Sequence, residues 1–234
     1  MELKRLLSLV RQAIDEYEMI EEGDRIAVGV SGGKDSLTLL FALSELSHFY
    51  PKKFEIEAIT VDLGFGMDYS LIEKFCADLG IRYTIVKTQI KDIVFDAKKE
   101  QNPCSLCAKM RRGALIDKAK ELGLNKVAYA HHKDDVVDTM MLSLMYEGRF
   151  ISLEPKTYLD RSEITVIRPM IFVKESEVKG FTNKQALPVL TNECPADGYT
   201  KRQYVNDLLR ELNKENKGVK DRMFTAIKDQ LYDK

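Results

Sequence analysis

The sequence predicts an α/β protein: an open, mostly parallel sheet with helices on both faces and a C-terminal helical extension. Two observations carry this. Short β-rich apolar runs alternate with amphipathic stretches, at roughly one strand per 25–45 residues, the rhythm of parallel strands joined by crossover helices. The first of these runs also passes through a glycine-rich turn, Gly29-Val30-Ser31-Gly32-Gly33-Lys34-Asp35-Ser36, directly into a helical stretch, as a phosphate cradle must. A chain of 234 residues with mixed charges, a net charge of -1 and no low-complexity run can fill one substantial core, which excludes a disordered or fibrous protein.

Each element has its own signal. Leu3, Leu6, Leu7, Val10, Ile14 and Tyr17 recur at helical spacing. Arg25 to Val30 is a buried strand, and Leu37 to Leu43 continues as a helix. Phe54 to Val61 is a second strand ending at Asp62-Leu63-Gly64-Phe65-Gly66, and Tyr69 to Leu79 is a helix closed by Gly80. Ile81 to Val86 is a third strand, and Cys107 to Leu122 a helix stopped at Gly123. Lys126 to Ala130 is the next strand and Asp134 to Tyr146 the next helix. Beyond Gly148 come a strand at Ile164 to Ile167, a helix from Lys174 to Lys184, and two amphipathic stretches, Tyr199 to Leu212 and Val219 to Leu231. The expected organisation is an N-terminal helix over 1–22, a nucleotide-binding domain over 23–190, and a cysteine-bearing turn with C-terminal helices over 191–234. No apolar run is long enough for a signal peptide or a membrane span, so the expectation is a cytoplasmic protein without a membrane partner.

In the glycine-rich turn, small residues let backbone N–H groups approach an anion, and the helix start adds a favourable dipole. Ser31 and Ser36 offer hydroxyl donors and Lys34 a point charge, whereas Asp35 repels phosphate unless it holds a cation. That mixture points to a nucleotide with magnesium. The spacing matches neither a Walker A loop nor Gly-x-Gly-x-x-Gly. Asp62 at a strand end is either functional or a turn former. His131-His132 at another strand end lie where ligands of such sheets gather, and Asp134 and Asp135 suit a helix first turn.

Four cysteines need a use other than disulfides in a reducing compartment. Cys104-Ser105-Leu106-Cys107 has the spacing of a redox pair, a zinc site or an iron–sulfur site. Cys194, in the polar turn Thr191-Asn192-Glu193-Cys194-Pro195, is the natural third ligand, and Asp197 either completes a tetrahedron or caps a helix. Cys76, among Leu71, Ile72, Phe75 and Leu79, is a packing residue. From Lys98 to Lys126, eight basic residues face three acids, a patch able to steer a polyanion.

Ser31 to Ser36 resembles the pyrophosphatase loop (PP-loop) of N-type ATP pyrophosphatases. Pro103 to Gly113, His131-His132-Lys133-Asp134-Asp135, Arg168-Pro169-Met170, Cys194 and Lys201-Arg202-Gln203 resemble the tRNA 2-thiocytidine biosynthesis group within them. The resemblance implies an adenine nucleotide alpha hydrolase-like fold that binds ATP and Mg2+. It further implies adenylation of O2 of an anticodon-loop cytidine of tRNA and replacement of that oxygen by sulfur. By carry-over, Ser31, Gly32, Gly33, Lys34, Asp35, Ser36, Asp62 and His131 contact the nucleotide. Lys34, Asp35, His131 and Asp135 serve the chemistry, with Asp35 positioned for magnesium. Cys104, Cys107 and Cys194 hold a [4Fe–4S] cluster whose unique iron accepts a sulfide. The partners so implied are tRNA, a sulfur-donor protein such as a cysteine desulfurase, and a second copy in a homodimer. Where family members commonly carry a second Cys-x-x-Cys, this chain has Cys194-Pro195-Ala196-Asp197. The alternatives are thiolation or other modification of a different tRNA base or a small metabolite, and a non-catalytic regulatory module that binds ATP and zinc.

Overall fold

The computed structural model describes residues 1–97, 103–191 and 201–233. Its strands are β1 (Asp24–Gly29), β2 (Phe54–Asp62), β3 (Arg82–Lys87), β4 (Lys126–Ala128), β5 (Lys156–Leu159) and β6 (Ile164–Ile167). The helices are α1 (Leu3–Glu16), α2 (Lys34–Phe49), α3 (Ser70–Asp78), α4 (Pro103–Glu121), α5 (Lys133–Glu147), α6 (Glu175–Gln185), α7 (Lys201–Glu215) and α8 (Val219–Leu231). One sheet runs in the order β3-β2-β1-β4-β6-β5, parallel except for β5, which lies antiparallel to β6 at the edge. This is the predicted architecture.

Alternate residues of the central strands enter opposite faces, as the two-residue period requires. Ile26, Val28, Ala58, Ala128 and Ile167 join α1, α2, α3, α5, α6, α7 and α8 in the larger core. Ala27, Ile59, Val61, Val127 and Ile164 face α4 and the π-helical segment Asp92–Ala97. Cys76 is fully buried on α3, and burial pushes its thiol up to about 11, as suits a packing residue.

Three local features differ from the sequence expectation. α4 begins at Pro103 rather than Cys107, so Cys104 lies inside its first turns rather than ahead of it. The reason is that proline suits a first turn, where its missing N–H has no intrahelical partner to lose. β5 was not anticipated; it is four residues long and held by pairing with β6, a tertiary contact. The π-helical segment likewise has no signal in the spacing of apolar residues.

The topology creates the crevice. The chain moves outward from β1 to β2 to β3, then returns to β4 on the other side of β1. Loops leaving the carboxyl ends of β1 and β4 therefore diverge, which opens a gap at the switch point. The glycine-rich turn leaves β1 and His131-His132 leave β4.

The C-terminal helices close over α5. Val205 and Leu209 of α7 and Phe224 and Ile227 of α8 are buried in the larger core. Asp138 of α5 is 1% exposed; one carboxylate oxygen accepts from Asn206 Nδ2 at 2.8 Å and the other has no hydrogen-bond partner, with Lys220 Nζ 3.9 Å away. Burial pushes its carboxyl up to about 6, against the pull of the Lys220 and Arg202 cations. The unfolded chain loses this proton near pH 4 and the folded chain near pH 6, so this group's contribution to stability falls as pH rises across that window. Asp138→Asn stays neutral throughout. Its stability relative to the parent is expected to rise by about 2 kcal/mol between pH 4 and pH 7 in urea denaturation; a constant difference would assign the titration elsewhere.

Candidate active site

The turn after β1 is held by its own hydroxyls. Ser31 N–H donates to Ser36 Oγ (3.1 Å), Gly33 N–H donates to Ser31 Oγ (3.3 Å), and Ser36 Oγ donates to Gly33 O (2.9 Å). Gly32 has φ +82°, and a Cβ there would stand 3.0–3.2 Å from the Leu190 side chain. Leu190 N–H donates to Gly32 O at 2.9 Å, clamping the loop against the chain that leads toward Cys194. Glycine is thus required both for the backbone conformation and for close approach.

Lys34 and Asp35 open α2, with Lys34 Nζ 2.9 Å from Asp35 Oδ2 and 3.3 Å from Glu175 Oε1 of α6. Burial disfavours the lysine charge, but the two carboxylates outweigh it and hold its pKa above the ordinary value. The other Asp35 oxygen, Oδ1, is buried without a hydrogen-bond partner. An orphaned carboxylate oxygen beside a phosphate cradle suits a divalent cation, whose hard-acid chemistry takes oxygen ligands.

His132 caps α5. Its N–H donates to Asp135 Oδ2 (2.9 Å), and Asp135 N–H donates to His132 Nδ1 (3.3 Å). With Nδ1 accepting, the network assigns the proton of the neutral ring to Nε2, which stands 3.8 Å from Asp35 Oδ1. Asp135 Oδ1 accepts from Arg202 of α7 at 3.1 Å. Asp135 therefore combines the capping role with a place on the cavity wall.

A cavity of about 460 Å³ occupies the switch point, lined in part by Ser31, Asp35, Ser36, Arg112, His131 and Asp135. His131 Nδ1 accepts from Arg168 Nε at 3.3 Å, and Arg168 is itself 8% exposed. Burial holds the His131 pKa well below the usual imidazole range, and the Arg168 cation adds to this against the opposing pull of Asp135. A neutral ring with Nδ1 accepting carries its proton on Nε2. The Tyr129 ring packs against His131 with centroids 5.7 Å apart, and its buried hydroxyl has no hydrogen-bond partner. Arg168, part of the Arg168-Pro169-Met170 motif but without an expected role, thus orients His131, and Tyr129 is a contribution with no motif signal; both stand at the carboxyl ends of apolar strands, the position that marked the histidines.

A second cavity of about 200 Å³ extends over the end of β2 and shares Ser31 and Arg111 with the first. Leu63, Phe65, Leu190 and Thr191 also line it. Asp62 lines neither cavity; its Oδ1 accepts from Gly64 N–H at 3.0 Å and so holds the turn. Lys34 also stays off both walls, engaged by Asp35 and Glu175.

Cys104 is exposed and Cys107 half-buried, three residues apart on α4 and hence on one helix face. Cys107 lies one turn before Arg111, which lines both cavities. Cys194 and Asp197 lie outside the described residues, as do Lys98 and Lys99 of the basic patch. Among the described residues, no three His, Cys, Asp or Glu side chains form a metal-holding group, and no helix is long and apolar enough to cross a membrane.

The PP-loop domain family matches residues 4–213. A tRNA-cytidine(32) 2-sulfurtransferase from Geobacter sulfurreducens is 37% identical over 228 residues, covering 96% of this chain and 89% of the relative. One from Photorhabdus laumondii is 37% identical over 229 residues, covering 97% and 75%. Among solved structures, the U34-tRNA thiolase from Methanococcus maripaludis, determined with its [4Fe–4S] cluster, superposes with a TM-score of 0.81 at 27% identity over 97% of this chain and 78% of that one. With an ATP-pyrophosphatase-type loop at the switch point, a pair of cysteines one turn from the cavity wall and relatives this similar along nearly the whole chain, the protein belongs to the PP-loop superfamily and, within it, to the tRNA-cytidine(32) 2-sulfurtransferase family.

Proposed function

We propose that this protein is an ATP-dependent tRNA sulfurtransferase that adenylates O2 of an anticodon-loop cytidine and replaces that oxygen with sulfur. One observation carries the reading: the phosphate loop, the helix that bears Cys104 and Cys107, and the chain at Leu190 and Thr191 line one crevice. Ser31 and Gly33 share a cavity with Arg111, one turn from Cys107, and with Thr191, three residues before Cys194. Three residues of chain span at most about 11 Å.

In the first step, cytidine O2 attacks the α-phosphorus of ATP and pyrophosphate leaves, making O2 part of an AMP leaving group. Ser31, Ser36 and the backbone N–H groups of the loop bind phosphate oxygens, and the start of α2 adds its dipole. Asp35 Oδ1 would hold Mg2+, which would supply positive charge against the phosphate oxygens. Lys34 fixes Asp35 Oδ2, leaving Oδ1 for the cation. Departure of AMP from C2 then accompanies entry of sulfur. Cys104, Cys107 and Cys194 would hold a [4Fe–4S] cluster, which would supply an iron open to that sulfur.

His131 acts as a neutral donor through Nε2–H, oriented by Arg168, and not as a cation on phosphate. A glutamine places an amide N–H near the Nε2 position, whereas asparagine is too short. His131→Gln is therefore expected to keep about tenfold more AMP formation than His131→Asn, in a pyrophosphate-release assay. Because the folded-state pKa is depressed, the ring stays neutral as pH falls from 8 to 6, and the ratio of parent to His131→Gln rates stays constant across that range. Equal losses in the two variants would remove the donor role.

The test of the whole reading is direct. Anaerobically purified protein should contain about one cubane cluster per chain and form AMP and pyrophosphate only with tRNA; stoichiometric zinc without iron-dependent activity would exclude the cluster chemistry. The similarity to a U34-tRNA thiolase makes an anticodon uridine the second candidate base. Mass spectrometry of tRNA nucleosides from cells lacking the protein separates the two, by loss of 2-thiocytidine or of 2-thiouridine.

A further inference from the structure

The large cavity opens beside a surface that the fold leaves bare. α5 ends at Gly148 in the left-handed conformation, and the chain after it is tied back onto the helix. Arg149 N–H donates to Ser143 O at 3.3 Å, and Ser152 Oγ donates to Val136 O at 2.7 Å. Tyr146, Phe150 and Ile151 are 45%, 50% and 51% exposed around this pinned segment, and Arg149 is exposed between them. Lys201 Nζ stands 4.4 Å from the Tyr146 ring centroid. The surface joins the cavity at two points: Leu153 follows in the chain and lines the wall, and Arg202, next to Lys201, reaches Asp135 on the same wall.

We propose that this rim, built on Tyr146, Arg149, Phe150 and Lys201, is the platform on which unpaired nucleotides flanking the target base stack and bind. The proposal rests on the tRNA reading above and names the surface for it. A base inserted at the switch point carries its neighbours across the rim, because consecutive nucleotides are covalently joined. Those neighbours present π-faces and phosphates, which aromatic rings and cations recognise without needing a base sequence. Leu144, Met145 and the acid Glu147 are exposed on the same surface, but the two cations Arg149 and Lys201 stand beside the rings, and that pairing of rings with cations favours a phosphate-bearing occupant over a second copy of the chain. The two hydrogen bonds back onto α5 make the platform preformed, so little ordering is required when RNA arrives.

Two variants of the cluster-loaded protein test it, with fluorescence anisotropy of a labelled anticodon stem-loop as the binding readout. Tyr146→Ala/Phe150→Ala is expected to weaken RNA binding about tenfold or more, as loss of stacking does. Arg149→Gln is expected to reduce the slope of log affinity against log salt by about 0.7, the loss of one single-strand phosphate contact. ATP affinity should stay within twofold and the sedimenting mass unchanged in both. Unchanged RNA affinity and salt slope would overturn the proposal, and a fall in sedimenting mass would overturn it in favour of a contact between copies. Parent protein that binds no tRNA would instead count against the sulfurtransferase reading, which separates the two failures.

Discussion

Asp35→Asn is expected to lower the rate of tRNA-dependent AMP formation by about 100-fold or more, with a much smaller change in ATP affinity. The expectation follows from how the aspartate is held. Lys34 takes Oδ2 at 2.9 Å, while Oδ1 stays buried without a hydrogen-bond partner and 3.8 Å from His132 Nε2. An anionic oxygen in that state, next to a phosphate cradle, is a ligand position for a hard cation, and the amide of asparagine is a far weaker one. Phosphate contacts by Ser31, Ser36 and the backbone survive the substitution, so ground-state binding survives with them, whereas charge developing in the transition state loses its counter-ion. Rapid-quench measurement of AMP, together with calorimetric titration of ATP, checks both halves. An equal loss in binding and rate would make Asp35 a general nucleotide anchor.

Cys104→Ser and Cys107→Ser are each expected to reduce thiolation by at least about 100-fold while leaving ATP binding within a few-fold of the parent. A serine hydroxyl does not replace a thiolate as an iron ligand, and a cluster with two protein ligands is poorly retained. The nucleotide groups sit on different elements, the turn after β1, the start of α2 and the end of β4, and do not depend on the thiols. Cys76→Ala is the matched control: its thiol is buried in the core on α3 and lines neither cavity, and thiolation should persist. Iron content, the cluster absorbance band and 2-thiocytidine by mass spectrometry report on each variant. Full iron content in the Cys104 and Cys107 variants would remove both residues from the ligand set.

The central strands and the crossover helices were legible because apolar spacing records burial on one or two faces, and those faces are what the sheet and helices cover. Glycine-rich loops are legible for a related reason: Gly32 is required by a positive φ and a close neighbour, constraints that leave a residue type behind. The edge strand β5 was not, since four residues of mixed polarity become a strand only by pairing with β6. The start of α4 was placed too late because Cys-Ser-Leu-Cys has weak helical signal of its own.

Within the site, residue types were easier to read than contacts. Asp35, His131 and Asp135 were singled out, and the structure puts all three on one wall. Lys34 and Asp62 were also singled out, but their side chains are taken by Asp35, Glu175 and the Gly64 turn. His132 and Arg168 are named by their motifs without a role, and Tyr129 has no motif signal, because what each side chain does depends on its contacts with Asp35, His131 and the cavity wall.

From the sequence alone came the fold class, the phosphate loop and the cysteine spacing, since each depends on residues close together in the chain. Only the tertiary structure decided which oxygen of Asp35 is buried without a hydrogen-bond partner, which nitrogen of His131 accepts from Arg168, and that Arg111 and Thr191 line one cavity. These depend on the return of the chain to β4 on the far side of β1, which brings together segments that no local pattern links.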